Sequence, residues 1–313
     1  MRSESFEFLS KDGKTSIHAV KWIPDSGKYK AILLIAHGMV EYIGRYEDFA
    51  KFMTDNEYMV VGNDHLGHGE SVISQNDWGY FMEKNPADAL IEDMHTLRKM
   101  VQQENPGVPY FMMGHSMGSY MLRKYLTIYN KDLRGAVFSG TGYIPKIKTS
   151  LGLFVTKFFK VFRGSRYRSK FIRNLTYDKP YRKYDLKCKD LTNCWLTRDV
   201  EIVKSYFSNP KCSFVFTLNG YQALFETVQY DCIQENVDKV PNKLPIFLFS
   251  GDQDPVGNLG VGVKRVYDMF ERSGKTDLTY KLYEGMRHEP LQEIGKQQVY
   301  ADLLAWLNVR IDT

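Results

Sequence analysis

The segment from Tyr110 to Tyr120 contains the pattern Gly-x-Ser-x-Gly, with Ser116 between Gly114 and Gly118. An apolar run precedes the serine and apolar residues at helical spacing follow it, so we predict a strand, a sharp turn and a helix. Such a turn needs glycine on both sides, because a side chain there would collide with the neighbouring strand or helix. The chemistry that this arrangement favours is nucleophilic attack by the Ser116 hydroxyl oxygen.

A serine nucleophile needs a base, and the sequence offers one candidate. In chains with this turn the acid and then the histidine follow the serine, and only one of the seven histidines, His288, lies beyond Ser116. It follows an alternating, strand-like run, Leu278–Tyr283. The preceding strand-like run leads into Asp252 and Asp254, and either could be the acid. Taken singly, His288 could instead be a surface loop histidine and Asp254 a turn former before Pro255.

The composition is that of a globular protein. Of the 313 residues 43% are hydrophobic, which is enough for a large core. There is no apolar run of membrane-spanning length and no apolar signal segment at the start, so we expect a cytoplasmic protein. The cysteines are too few for a disulfide scaffold and form no zinc pattern, so we expect free thiols. They are Cys188, Cys194, Cys212 and Cys232.

Strand-like and helix-like segments alternate through most of the chain. Two alternating segments at the start predict an antiparallel hairpin at a sheet edge, and fully apolar runs such as Ala31–Ala36 predict strands covered on both faces. The alternation then fails over a long middle section before it resumes. We therefore predict a sheet domain of residues 1–140 and 241–313, interrupted by an inserted helical cap of residues 141–240.

One polar loop could be mistaken for a metal site. Asp64, His65 and His68 carry side chains that bind metals, but two histidines and one acid at this spacing do not fix a site. Gly67 and Gly69 between them indicate a tight loop instead. We predict no metal here.

The first part of the predicted cap is strongly basic. Between Pro145 and Lys189 fourteen Lys and Arg face two Asp, a net charge of +12 in a chain whose total is +5. Apolar residues within it recur at helical spacing, with basic residues off that face. Such a helix suits an anionic membrane surface or the wall of an apolar pocket, although a helix packed on the core with a solvated charged side has the same pattern. The apolar face comprises Leu151, Phe154, Val155, Phe158 and Phe162, and the bases beside it are Lys157, Lys160 and Arg163.

Several segments together resemble one family. The chain is similar to the monoacylglycerol lipase and lysophospholipase-like branch of the α/β-hydrolases, a group that includes the S33 serine aminopeptidases. The resemblance covers nearly the whole chain and implies an α/β-hydrolase fold: a mostly parallel eight-stranded sheet flanked by helices, with an inserted cap. It departs at Val40, Tyr42 and Leu66, where many members have Gly, His and Arg. The matching segments are His37–Tyr46, Asp64–Ser71, Gly114–Gly118, Gly251–Asp254 and Tyr283–His288.

The resemblance implies a serine esterase that acts through an acyl-enzyme. Ser116 would be the nucleophile and His288 the base. Asp254, rather than Asp252, would be the acid, because the family pattern there is Gly-x-x-Asp. No metal or cofactor is implied. The expected binding partner is a small acyl ester or lipid substrate, and no nucleic acid is expected. From the basic cap we expect peripheral contact with an anionic inner membrane surface.

The resemblance also implies which residues form the oxyanion hole. Several other functions on the same fold have to be considered beside ester hydrolysis. The N–H groups of Met39 and Met117 would bind the oxyanion. A serine aminopeptidase on the same fold would need acids in the cap to hold an ammonium group, and the first half of the cap has almost none. Dehalogenases and epoxide hydrolases normally use an aspartate where this chain has Ser116. A non-enzymatic membrane-binding module is the remaining alternative, and the full set of triad residues argues against it.

Overall fold

Strands from both ends of the chain form one sheet in the computed structural model, which describes residues 1–176 and 179–311. Within these residues the sheet has eight strands in the order β1-β2-β4-β3-β5-β6-β7-β8; β2 runs antiparallel to both of its neighbours, β1 and β4, and all other neighbouring strands are parallel. This confirms the predicted mostly parallel eight-stranded sheet. The strands are β1 (Arg2–Leu9), β2 (Ser16–Ile23), β3 (Ala31–Ala36), β4 (Tyr58–Asn63), β5 (Tyr110–His115), β6 (Gly135–Ser139), β7 (Ile246–Gly251) and β8 (Leu278–Tyr283).

The central strands are apolar on both faces because helices cover both. In β3, Ile32 and Leu34 point to one core cluster, whereas Leu33 and Ile35 point to the other. The helices in the described residues are α1 (Glu47–Asp55), α2 (Pro86–Glu104), α3 (Met117–Leu126), α4 (Lys146–Arg163), α5 (Lys170–Leu175), α6 (Val200–Ser208), α7 (Leu218–Asp231), α8 (Gln234–Val237), α9 (Val261–Arg272) and α10 (Lys296–Asn308). Helices α1 and α10 cover one face, and α2, α3 and α9 cover the other.

Five of these helices, α4 to α8, lie between β6 and β7, in the stretch predicted to be a cap; we call residues 141–240 the insertion. Helix α7 packs against α4 and also against α2 and α3. Arg123 of α3 donates to the carbonyl oxygens of Gly142 (3.1 Å) and Asp231 (2.7 Å), near the two ends of the insertion. The division into a sheet domain and a separate cap stays a prediction.

Helix α4 turns its apolar face outward. Its buried residues are the small ones, Thr149, Gly152 and Thr156, and a side chain at Gly152 would press on the ring of Phe225. The outward residues are Ile147, Leu151, Phe154, Phe158, Val161 and Phe162, each more than half exposed. The alternative of an apolar face packed on the core is therefore wrong for four of the five predicted residues, and only Val155 is partly buried against the core. Asp178 and the side chain of Lys179, which belong to the same basic segment, lie outside the described residues.

Two of the four cysteines are not free, which corrects the prediction of free thiols. Cys188 and Cys194 form a disulfide with their Cα atoms 4.6 Å apart, within the range that a disulfide spans. The short 3₁₀ turn Leu191–Asn193 brings the two together, a local proximity that cysteine spacing alone does not reveal. Cys212 is free and buried, and Cys232 is free and half-buried.

Long apolar helices are absent from the described residues. None of the helices in the ranges 1–176 and 179–311 combines the length and hydropathy that crossing a bilayer would require.

Candidate active site

Ser116 lies on the turn between β5 and α3. Its φ of 51° and ψ of −118° are a strained conformation for a residue with a side chain. A side chain on Gly114 would overlap the Gly118 carbonyl, and one on Gly118 would overlap the Ala36 carbonyl at the end of β3. The two glycines therefore let strand, turn and helix approach closely enough for this conformation, and the strand pairing fixes where the hydroxyl lies.

Three side chains from three strand ends form a chain of hydrogen bonds. His288 Nε2 lies 2.9 Å from Ser116 Oγ, and His288 Nδ1 lies 3.0 Å from Asp254 Oδ1. All three candidate residues are thus brought together after β5, β7 and β8, at the carboxyl edge of the parallel strands. The arrangement can pass a proton from the serine to the imidazole while the carboxylate holds the ring.

Asp254 and Asp252 have different surroundings. Asp254 is fully buried, and its Oδ2 also accepts a hydrogen bond from Ser250 Oγ (2.7 Å). Burial acts to raise the pKa of Asp254, but the His288 charge and the hydrogen bonds outweigh it and lower the pKa. Burial likewise acts to lower the pKa of His288, and Asp254 raises it above the usual value. Asp252 accepts from the Gly285 N–H (2.8 Å) and so bridges the loops after β7 and β8.

The loop after β3 packs directly against the serine. A Cβ on Gly38 would lie 3.1 Å from the Cβ of Ser116. Met39 follows on this loop and Met117 is the first residue of α3, so the two residues predicted for the oxyanion hole belong to the segments that adjoin Ser116. Val40 has a φ of 58°, a left-handed conformation that a β-branched residue rarely adopts.

Comparisons with known proteins identify the family of the chain. The family described as serine aminopeptidase, S33, matches residues 27–295. The chain belongs to the S33 family of α/β-hydrolases.

Its relatives are named as ester hydrolases. The monoglyceride lipase of Homo sapiens is 25% identical over 295 residues, which cover 93% of this chain and 86% of that protein. The monoacylglycerol lipase of Mycolicibacterium smegmatis is 23% identical and covers 91% and 90% of the two chains. Among solved structures, a thermostable carboxyl esterase from Bacillus coagulans is 28% identical, with a TM-score of 0.90 and 99% of both chains covered.

This α/β-hydrolase also has a buried ionic network that sequence reasoning missed. Arg45 donates to both oxygens of Glu289 (2.8 and 2.7 Å) and to Glu41 Oε2 (2.5 Å). Glu41 Oε1 in turn accepts from the Gly38 N–H. The network therefore connects the loop that carries Met39 to the residue next to His288. A signal was present, because Glu41 and Arg45 lie in a segment that carries the family resemblance.

Burial and the Arg45 charge have opposite effects on the pKa values of the two carboxyl groups in this network. Burial acts to raise the pKa of Glu289, but Arg45 outweighs it and lowers the pKa below its usual value. For Glu41 burial prevails and raises the pKa. The two carboxyl groups that contact Arg45 therefore have pKa values shifted in opposite directions.

The loop considered for metal binding has another structural role. Asp64 accepts from the backbone N–H groups of Ile43 (2.8 Å) and Glu70 (2.8 Å), and so it orders two loops. His65 and His68 lie in a buried cluster with His37. Burial lowers the pKa of His65 to about 4 and that of His68 to about 3, so both are neutral at pH 7.

Proposed function

We propose that the protein hydrolyses carboxylic esters through Ser116, His288 and Asp254. The observation that carries the proposal is the unbroken hydrogen-bond chain among these three side chains. His288 takes the Ser116 proton as the serine oxygen attacks the ester carbonyl, and then returns it to the leaving alcohol. Water then attacks the carbonyl carbon of the acyl-enzyme. His288 takes the proton of the water and passes it to Ser116 Oγ as the carboxylic acid leaves. Asp254 holds the imidazole in the required tautomer and stabilises its cation.

Two backbone donors would stabilise the charge that develops on the carbonyl oxygen. We assign them to the N–H groups of Met39 and Met117, each of which would contribute about 3 kcal/mol to transition-state stabilisation. Met117 adds the positive end of the α3 dipole, which favours an anion at this point. The buried network of Glu41, Arg45 and Glu289 supports this assignment, because it fixes the loop on which Met39 lies.

The substrates we propose are acyl esters of the monoacylglycerol or lysophospholipid class. The curated relatives named above are lipases for monoglycerides, and a small apolar cavity borders Met117 on the insertion side. Its lining comes from α2, α3, α7 and the loop before α2: Phe81, Leu90, Met117, Tyr120, Met121, Ala223, Leu224 and Thr227.

A fluorophosphonate probe tests the nucleophile. The wild type should be labelled and Ser116→Ala should not. Equal labelling of the variant, or full retention of its esterase activity, would refute the proposal. Ser119→Ala is the matched control, because Ser119 lies three residues further on, in the first turn of α3, and its hydroxyl donates to the Ser116 carbonyl oxygen (2.6 Å). Rates on p-nitrophenyl esters of increasing chain length, then on monoacylglycerol and lysophospholipid, would define the substrate.

Peptide hydrolysis is the second candidate, because the matching family is described as serine aminopeptidase. Such an enzyme needs a carboxylate free to bind the substrate ammonium. The acids nearest His288 in the network, Glu41 and Glu289, are both paired with Arg45. We therefore expect aminoacyl-naphthylamides to be poor substrates, and turnover comparable to that of esters would favour the aminopeptidase.

We further propose that α4 brings the enzyme to anionic membranes, with the protein peripheral at the cytoplasmic surface. Phe154 and Phe158 are 68% and 55% exposed, on the same side as Phe162, whereas a globular protein usually covers such a stripe. Lys157 and Arg163 are exposed beside them. This combination is that of a helix lying in a lipid interface. Other bases of the segment are used internally: Arg166 pairs with Asp77 and Lys160 with Glu83.

Co-sedimentation with vesicles tests the membrane proposal. Binding to phosphatidylglycerol vesicles should exceed binding to neutral ones, at about 1 kcal/mol per base that reaches the surface. It should weaken as added salt shortens the Debye length from about 30 Å to about 8 Å. Phe158→Ser should weaken it further, whereas Val261→Ser, an equally exposed apolar residue outside the insertion (64%), should not. Negligible binding to both vesicle types would exclude the proposal and leave an esterase for dispersed substrates.

A further inference from the structure

The imidazole of His288 contacts two other aromatic rings. The ring centroid of His115 lies 4.8 Å away, and that of Trp195 lies 5.3 Å away with the planes inclined at 33°. His288 is only 2% exposed. Trp195 is the one of these neighbours that comes from the insertion, so the insertion contacts the proposed base directly.

The segment that carries Trp195 is held by both neighbours of His288. Arg287 donates to the carbonyl oxygens of Thr192 (3.0 Å) and Cys194. On the other side the Glu289 N–H donates to the carbonyl oxygen of Leu196 (2.9 Å). Trp195 therefore lies between two anchored residues, and the anchors are the residues that flank the proposed base. The backbone on both sides of the indole is thus tied to the backbone and side chain of the residues next to the imidazole.

We propose that Trp195 is a positioning residue for His288: its indole fixes the imidazole between Ser116 and Asp254 and stabilises the imidazolium that forms when Ser116 gives up its proton. The proposal rests on the esterase function above, in which His288 is the base. A cation within about 6 Å of an indole centroid is attracted by the ring, the more so where water is excluded. The same contact covers the imidazole from solvent.

The other groups near His288 act through their charge, whereas the indole of Trp195 is neutral. His115 cannot supply a second cation, because burial lowers its pKa to about 3. The carboxylates of Asp254, Glu289 and Glu41 raise the pKa of His288 through charge, and Glu289 and Glu41 are paired with the Arg45 guanidinium. Trp195 acts in addition to these charges and is neutral, so its substitution changes no formal charge at the site. The titratable groups that face the imidazole are Asp254, Glu289, Glu41 and His115.

The pH profile of kcat/KM for a short-chain ester tests the proposal. The acid limb reports the free-enzyme pKa of His288. Trp195→Leu keeps apolar bulk but loses the ring, and we expect the acid-limb pKa to fall by about half a unit or more, with a lower plateau. Trp195→Phe keeps an aromatic face and should retain most of the wild-type pKa. Because Trp195 is half-buried, both variants should fold, and fluorophosphonate titration counts their active sites.

Tryptophan emission gives a second, independent measurement. A protonated imidazole quenches a neighbouring indole, so wild-type emission should change with pH at the pKa of the acid limb. The change should vanish in His288→Gln and in Trp195→Phe, while the other tryptophans, Trp22, Trp78 and Trp306, continue to emit.

The outcomes separate this proposal from the esterase function on which it rests. Equal acid-limb pKa values in the wild type and both variants, a rise of the pKa in Trp195→Leu, or an emission change that survives His288→Gln would overturn the role of Trp195. Any of these would leave Ser116 labelling intact. Failure of the esterase function would appear instead as labelling that does not depend on Ser116.

Discussion

Helices α4 and α9 have similar amphipathic sequences and opposite placements. In α9 the apolar residues Val263, Val266 and Phe270 are buried against the sheet. In α4 the corresponding stripe, which includes Phe154 and Phe158, faces outward. Amphipathic spacing thus specifies a helix and a face that gains from being covered, but it does not specify what covers that face.

Connectivity explains the difference. Helix α9 joins the parallel neighbours β7 and β8, and a crossover between such strands packs back onto their sheet. Helix α4 begins an insertion that returns to the sheet only after α8, so no crossover forces it onto the strands. It packs instead on α7, with its small residues inward. The sheet region is therefore constrained by topology, and the insertion is free to expose an apolar surface.

The largest expected effect lies in the sheet region. Asp254→Asn removes the carboxylate that orients His288, and kcat should fall by about 10⁴ through the wrong tautomer. Asp252→Asn is the matched control, because Asp252 bridges two loops at Gly285 and should cost much less. Steady-state kinetics on a soluble ester, with active sites counted by titration, measures both. The reverse ranking would move the acid to Asp252 and leave the fold unaffected.

Local sequence patterns predict the elements of the sheet region but not the contacts between residues that are distant along the chain. A mostly parallel sheet could be expected because apolar runs such as Ala31–Ala36 alternate with helices, and His288 could be selected because no other histidine follows Ser116. The ion pair of Arg45 with Glu289 joins residues 244 positions apart along the chain. No local pattern contains such a contact, nor the one between Trp195 and His288.

The second prediction tests the comparison of the two helices directly. Phe270→Ala in α9 deletes a ring that is 1% exposed and stacked on Phe138, so the free energy of unfolding should fall by about 3–5 kcal/mol. Phe158→Ala in α4 deletes an exposed ring and should change it by less than about 0.5 kcal/mol. Denaturant unfolding measures both. A comparable loss in Phe158→Ala would mean that α4 is covered by the rest of the chain in solution.

The loss of stability that histidine protonation causes should arise in the sheet region, because the insertion has no histidine. The pKa of His65 is about 4 and that of His68 about 3 in the folded protein, below the value of about 6.5 for an unfolded chain. As the pH falls below about 6.5, these histidines are protonated in the unfolded state before they are protonated in the folded state. The folded state therefore loses stability relative to the unfolded state as the pH falls. At pH 5.5 the loss is about 1.4 kcal/mol per histidine.

A single substitution isolates one histidine of that cluster. The rings of Phe81, Phe214 and Phe216 surround His68, so His68→Phe should fit and should reduce the loss between pH 7.5 and 5.5 by about 1.4 kcal/mol. His18 is the control of opposite sign: Asp64 raises its pKa, so its contribution is complete at low pH and is lost as the pH rises. An unchanged pH dependence in His68→Phe would show that this histidine is not neutral in the folded protein.

The smallest expected effect lies where the two regions meet. Val40 has a φ of 58°, and its carbonyl oxygen accepts from Tyr206 Oη of the insertion (2.8 Å). A left-handed conformation costs a residue with a side chain about 1–2 kcal/mol, and glycine avoids this cost but loses about 0.5–1 kcal/mol more in backbone entropy. Val40→Gly should therefore raise the free energy of unfolding by up to about 1 kcal/mol, or the Tm by up to about 1–2 °C in a chain of this length. Tyr206→Phe, which keeps Val40 but removes the hydrogen bond, should lower the Tm instead. A lower Tm in Val40→Gly would mean that packing of the valine side chain at this junction outweighs its backbone strain.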